Sequence, residues 1–171
     1  MSLATTIQYM YPAAIPLIDY EIRDEGAGAF IGFWNIEKLG REPTDAALVA
    51  ASGAAALAAA KFGKLKDINE KCVKLMAQIR DGYPADEIHS WPKQETEARA
   101  YLADNTASVP LLTALAAARG IDLADLVQRV ILKADQFAEA SGLIIGARQK
   151  CEDALEAAKT VEEVEAVVWP E

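Results

Sequence analysis

Residues 122–158 read DLADLVQRVILKADQFAEASGLIIGARQKCEDALEAA, and this stretch decides the fold class. Leu123, Val127, Val130, Ala134, Phe137, Ser141, Ile144, Arg148, Cys151, Leu155 and Ala158 recur at alternating spacings of four and three, a heptad seam held through five repeats. The seam keeps its phase across Gly142 and Gly146, so both glycines are expected inside one helix rather than at its ends. At a rise of ~1.5 Å per residue that helix is roughly 55 Å long. Asp122 is placed to cap it. A seam of this length needs a partner, either the chain's own upstream helix folded back or the same helix of another copy; a homo-oligomer is the expectation. Ser141, Gly142 and Gly146 are equally readable as a close-approach surface or as incidental. Arg148 interrupts the apolar seam, either to pair with a buried acid and fix register or to snorkel at its edge.

Outward from the seam the pattern remains helical. Thr160-Val161-Glu162-Glu163 has capping-box spacing and starts a short last helix. Upstream, Ser108 and Gly120 are the expected caps of a helix whose last turn carries Arg119. Another helix is expected from Ser90-Trp91-Pro92, with proline in its first turn, to Asp104-Asn105. Pro43-Thr44-Asp45 opens an alanine-rich helix with the stripe Leu48, Ala51, Ala55, Ala58, Phe62, Leu65, Ile68, Cys72, Leu75 and Ile79. Gly53 and Gly63 weaken this helix and are candidate points of division. It stops at Gly82-Tyr83-Pro84.

Residues 1–42 are built differently. Tyr11-Pro12 and Ile15-Pro16 break any helix there. Asp19-Tyr20-Glu21-Ile22-Arg23 alternates polar and apolar, and Ala29-Phe30-Ile31-Gly32-Phe33-Trp34-Asn35-Ile36 is a second strand-like run. Asp24-Glu25-Gly26-Ala27-Gly28 between them supplies turn residues tolerant of positive φ, so the segment reads as a β-hairpin. Asp24 and Glu25 beside the glycines oppose a bound phosphate. Phe33 and Trp34 are adjacent, so in a strand they face opposite ways and only one of them can serve the module's own core. Phe30, Phe33 and Trp34 are therefore the candidate partner-binding residues. The fold class is mainly α with a small N-terminal β-hairpin module and heptad-like packing of long helices, α+β overall. The expected divisions are 1–42, a hairpin module; 43–84, an alanine-rich helical connector; and 85–171, a helical domain.

Composition narrows the function. Lys and Arg total 17 against 26 Asp and Glu, for a formal charge of −9, which repels phosphate backbones and speaks against broad nucleic-acid binding. No uncharged apolar run reaches the ~18 residues of a membrane span, and the first twenty residues lack a signal peptide's basic start and apolar block. Cys72 and Cys151 stand apart from any CxxC or nearby histidine and read as small buried hydrophobes in a reducing cytoplasm. The single histidine, His89, excludes a two-histidine metal site and reads as a surface residue. Glu95/Glu97 and Glu162/Glu163 read as solvated faces and helix-start charges. No catalytic residue, metal site or cofactor is expected, and no serine or cysteine sits in a recognisable nucleophile elbow.

Two regions carry a resemblance. Ile7-Gln8-Tyr9-Met10-Tyr11-Pro12, Asp19 to Gly26, Phe30-Ile31, Trp34-Asn35 and Pro43-Thr44 resemble the start of XkdW-like proteins from prophage tail clusters. Trp91 to Glu95, Glu97-Ala98, Leu115-Ala116, Ala118-Arg119-Gly120, Lys133-Ala134 and Gly142 to Gly146 with Arg148-Gln149 are similar to a helical domain of phage tail-fibre assembly proteins. The resemblance implies a phage tail-module protein without enzymatic activity. The leading expectation is an assembly factor or chaperone for a tail-fibre or tail-tip protein, acting in the bacterial host cytoplasm. The alternative is a structural component retained in the virion tail; an enzyme with an unrecognised site is a distant third.

Overall fold

The computed structural model describes residues 2–170. In chain order the elements are α1 (Leu3–Met10), β1 (Tyr20–Asp24), β2 (Ala29–Trp34), α2 (Ile36–Leu39), α3 (Asp45–Gln78), α4 (Ala85–Ala103), α5 (Pro110–Arg119), α6 (Leu123–Ala157) and α7 (Val161–Glu165). The protein is mainly α with a small antiparallel hairpin, as the sequence pattern implies. The chain forms two compact units, residues 1–68 with 150–171, and residues 69–149.

In the first unit, α1 precedes the prolines that read only as breakers. Its Ile7 is fully buried with Ala14 and Tyr20, and Ile22, Ile31, Trp34, Leu39 and Leu48 pack against them. Thr44 caps α3, its Oγ1 accepting from Ala47 N at 3.2 Å. A second cluster joins Ile68 of α3 to Cys151 and Leu155 of α6, to Ala158 and to Val164 of α7, with Leu57, Leu65 and Trp169 around it. Thr160 caps α7 through Glu163 N at 3.2 Å. The Glu163 carboxylate reaches back to Lys159 N at 2.6 Å, one residue short of the usual capping-box target.

In the second unit the core is Ala98, Val109, Leu112, Ala116, Leu126 and Val127. Burying side chains of this size contributes about 1.5–3 kcal/mol each for the larger ones. The Phe137 and Tyr83 rings each meet the Trp91 ring edge-to-face, with centroids 5.5 and 5.0 Å away. Arg148, half-buried on the seam, donates to Asn69 Oδ1 at 3.3 Å.

The long helix is a single α6, with Asp122 Oδ1 accepting from Ala124 N at 2.8 Å as its cap. Every seam position from Leu123 to Ala158 is buried or half-buried. In the second unit Val127 and Val130 of the seam pack with Leu112 and Ala116, and in the first Cys151, Leu155 and Ala158 pack with Ile68. Gly142 and Gly146 do not mark a close approach, since a Cβ at either would meet nothing within 4 Å. Gly53 and Gly63 do not divide α3, which runs unbroken.

Four further expectations are corrected. Phe62 is 75% exposed: Leu65 and Ile68 of the stripe do face the core, and Leu57 joins them there where Phe62 was expected. Pro92 lies inside α4, which starts earlier, at Ala85; its missing N–H leaves the Ile88 carbonyl without the regular helical donor. Val109, not Ser108, is the N-cap residue of α5, with Pro110 following at the first helical position. A valine side chain cannot cap, and Glu97 takes that part. Glu97 is only 3% exposed rather than solvated; its Oε2 accepts from Leu112 N at 3.0 Å, and its Oε1 faces the Lys93 ammonium at 3.2 Å. A buried carboxylate is tolerable here because a cation and a helix N-terminus both face it.

Residues 46–60 carry no charge, and the most apolar 18-residue window of α3 reaches a mean hydropathy of 1.5. By length and composition α3 could cross a membrane, although its charge-free run falls short of the span expected from sequence.

The open space around the glycines of α6 gives a direct test. Gly142→Ala and Gly146→Ala should each stabilise the protein by about 0.5–1 kcal/mol, the helix propensity recovered. Thermal melts showing a loss instead would mean that another backbone occupies that space.

Candidate functional site

The hairpin turn is made by one carboxylate. Asp24 Oδ1 accepts from Gly26 N at 2.8 Å and from Gly28 N at 3.3 Å, while both glycines sit at positive φ, 95° and 114°. This closes the chain so that β1 and β2 pair antiparallel as Tyr20↔Trp34, Glu21↔Phe33, Ile22↔Ile31, Arg23↔Phe30 and Asp24↔Ala29. Gly32 is skipped in that register: it is the extra residue of a β-bulge.

The bulge decides what the hairpin shows to solvent. Residues 30 and 33 are an odd number apart and would point to opposite faces of a regular strand. With Gly32 inserted, they lie opposite Arg23 and Glu21, which share a face. Tyr20, Ile22, Ile31 and Trp34 take the other face and pack into the core with Ile7. Phe30 and Phe33 therefore stand together on the outer face, 43% and 47% exposed. Trp34 is spent inward: its indole N–H donates to Gly40 O at 2.9 Å and its ring meets the Tyr11 ring edge-to-face at 4.9 Å. Of the three residues singled out by sequence, the structure brings Phe30 and Phe33 together and gives Trp34 to the module's own core.

Between the two phenylalanines runs a fork-on-fork ion pair, with Arg23 Nε and Nη2 donating to Glu21 Oε1 and Oε2, each at 3.1 Å. The hydrogen bond from Arg23 holds the Glu21 carboxyl below its usual range. At this exposure the pair contributes little stability; its effect is to lay the Arg23 stem across the strand. A Cβ on Gly32 would fall 2.7 Å from Arg23 Cδ, so glycine is the residue that lets the stem lie there.

One end of the hairpin carries a feature that sequence reasoning missed. Asp19 is 1% exposed, and its Oδ2 accepts from Ile15 N at 2.8 Å and Lys38 Nζ at 2.7 Å. Its carbonyl accepts from Asn35 N at 2.8 Å, which continues the strand pairing by one step. Held this way, the loop displays Ile15, Leu17 and Ile18, and Leu17 is 82% exposed at a φ of 67° that is rare for leucine. The one sequence signal was three large apolar residues packed around Pro16 with an aspartate at their end. Ile36, 65% exposed, starts α2 just beyond β2.

Elsewhere, Cys72 and Cys151 are free and buried. His89 is exposed, 3.9 Å from Asp86. Among the described residues no group of three or more His, Cys, Asp or Glu is placed to hold a metal ion.

Residues 3–60 match the family model of the XkdW protein, and residues 132–169 match that of the HI1402 helical domain. The chain thus has an XkdW-like N-terminus, containing α1, the hairpin, α2 and the first half of α3, and a helical C-terminal segment of the second kind. The XkdW match associates the protein with phages. The C-terminal match starts beyond the Trp91 to Gly120 elements, which fall outside it. No curated protein and no solved structure matches the chain.

The buried Asp19 gives the module an acid limit. Its carboxyl is held below the ordinary 3.8, first by the Lys38 hydrogen bond and then by the Ile15 amide, against an opposing effect of burial. A depressed folded-state pKa stabilises above the unfolded value and is lost as pH falls through the folded one. The stability difference between wild type and Asp19→Asn should therefore be full at neutral pH and shrink below about pH 4. Urea melts across that range check it, and a difference that persists unchanged into acid would contradict the pairing.

Proposed function

We propose that this protein is a phage tail-fibre assembly factor that binds a tail-fibre or tail-tip protein through the outer face of its N-terminal hairpin. The observation that carries the reading is the exposed pair Phe30 and Phe33, on a rigid face within the segment that matches XkdW. Large apolar side chains held out together by a bulge, on a hairpin fastened by the buried Asp19, mark a surface that expects company. Aromatic anchors of this kind dominate binding energy, at about 2 kcal/mol or more each. The helices position the module, and binding takes place in the host cytoplasm during assembly.

Co-expression of the protein with the tail fibre, followed by pull-down, tests this. Phe30→Ala and Phe33→Ala should leave the fold intact and weaken capture by roughly tenfold or more. Trp34→Ala should instead cost stability, by about 3 kcal/mol. Capture undiminished in both phenylalanine variants would contradict the reading. Mass spectrometry of purified virions decides between the two roles in the tail module: depletion supports an assembly factor, while fixed stoichiometry in the particle overturns it in favour of a structural tail component.

A further inference from the structure

Taking the outer face of the hairpin as the binding surface, as proposed above, we infer that the aliphatic stem of Arg23 is its third contact, over which the partner lays an uncharged, apolar side chain. Arg23 and Glu21 share that face, opposite Phe30 and Phe33. The ion pair between them does not run straight along β1 but passes over Gly32 of β2. A Cβ at Gly32 would fall 2.7 Å from Cδ of Arg23 and 2.8 Å from its Cγ and Nε. Three consecutive atoms of the side chain therefore lie on the backbone between the two phenylalanines. Long cationic side chains cover surface in this way while the charged head stays in water. Gly32 is not among the glycines at positive φ, so an alanine there would violate the space of the stem and not the backbone conformation. Gly32 is thus the positioning residue for Arg23.

Charge decides what lies on the stem. Arg23 Nε and Nη2 each donate to a Glu21 carboxylate oxygen at 3.1 Å, so the head is neutralised where it stands. A partner carboxylate would have to displace Glu21 from a fork it fills on both prongs, and would then face the negative charge it displaced. A partner ammonium drawn to Glu21 would meet the guanidinium beside it. A neutral side chain faces neither repulsion, and it gains the stem and both rings as apolar surface. Phe30, Phe33 and the Arg23 side chain are 43%, 47% and 53% exposed, so all three have area left to bury.

The test uses the full chain with the co-expressed tail fibre as its probe. Arg23→Met keeps an unbranched stem without the charge and should capture the fibre within about twofold of wild type. Arg23→Ala should weaken capture by roughly fivefold or more, as about two methylenes of contact are lost. Gly32→Ala displaces the stem and should weaken capture by a similar factor. The double variant should lose no more than either alone, because both changes remove one contact. Circular dichroism and thermal melts separate these effects from unfolding; if Gly32→Ala does not fold, the comparison of Arg23→Met with Arg23→Ala decides. Glu21→Gln bares the guanidinium charge and should also weaken capture. Equal losses in Arg23→Met and Arg23→Ala, or a gain in Glu21→Gln, would mean that the charge meets a partner carboxylate, and would overturn the inference. Additive losses in Gly32→Ala and Arg23→Ala would overturn it as well. Those results leave the phenylalanine face standing, whereas undiminished capture in Phe30→Ala and Phe33→Ala removes the face and this contact with it.

Discussion

One extra residue governs what the hairpin of this protein shows on its outer face. Gly32 breaks the alternation of β2, and the break sets Phe33 on the same side as Phe30 while turning Trp34 toward the core. Arg23 depends on it too: its stem crosses the strand where any Cβ would collide, and there it meets Glu21. Without the bulge, a regular strand would direct one of the two phenylalanines inward and leave a single aromatic ring outside.

The hairpin could not hold such a geometry by itself, since two strands are marginal in water. It is fastened at one end by Asp19, whose side chain ties a loop to a lysine and whose carbonyl extends the ladder by one step. On its inner face it packs on Ile7 of α1 and on Leu48 of α3. The other compact unit has its own fastening in Glu97, a buried acid that caps α5 from α4 and pairs with Lys93. In both units a carboxylate is buried only where a lysine and backbone amides face it. Each such contact fixes the start of a loop or helix at the element the carboxylate projects from.

How much of this could be read from the chain follows from where each signal lives. The heptad seam of α6 was legible because its period persists for five repeats, long enough to outweigh two glycines. The hairpin and its turn were legible from alternation and from the Asp-Glu-Gly-Ala-Gly chemistry, and the opposed directions of Phe33 and Trp34 followed from their adjacency. The bulge was not read, although a glycine inside a strand is its usual trace. Nor was the role of Glu97, since a glutamate on a helix beside Glu95 looks solvated until the start of α5 is known to lie against it. Pro92 misled because proline is commonest in a first turn, yet Pro84 already supplies the helix start. The residues of the chain that pack on each end of the seam, Leu112 and Ala116 on one and Ile68 on the other, are tertiary facts that the period does not carry.

The claim on which the rest depends is that the bulge sets both phenylalanines outside and the tryptophan inside. Cross-strand nuclear Overhauser effects in the isotope-labelled protein measure it directly. The account predicts contacts of Phe33 with Glu21 and of Phe30 with Arg23, together with contacts of the Trp34 indole with Tyr11. Contacts of Phe33 with Tyr11 and Ile7, with the Trp34 indole free of both, would contradict it.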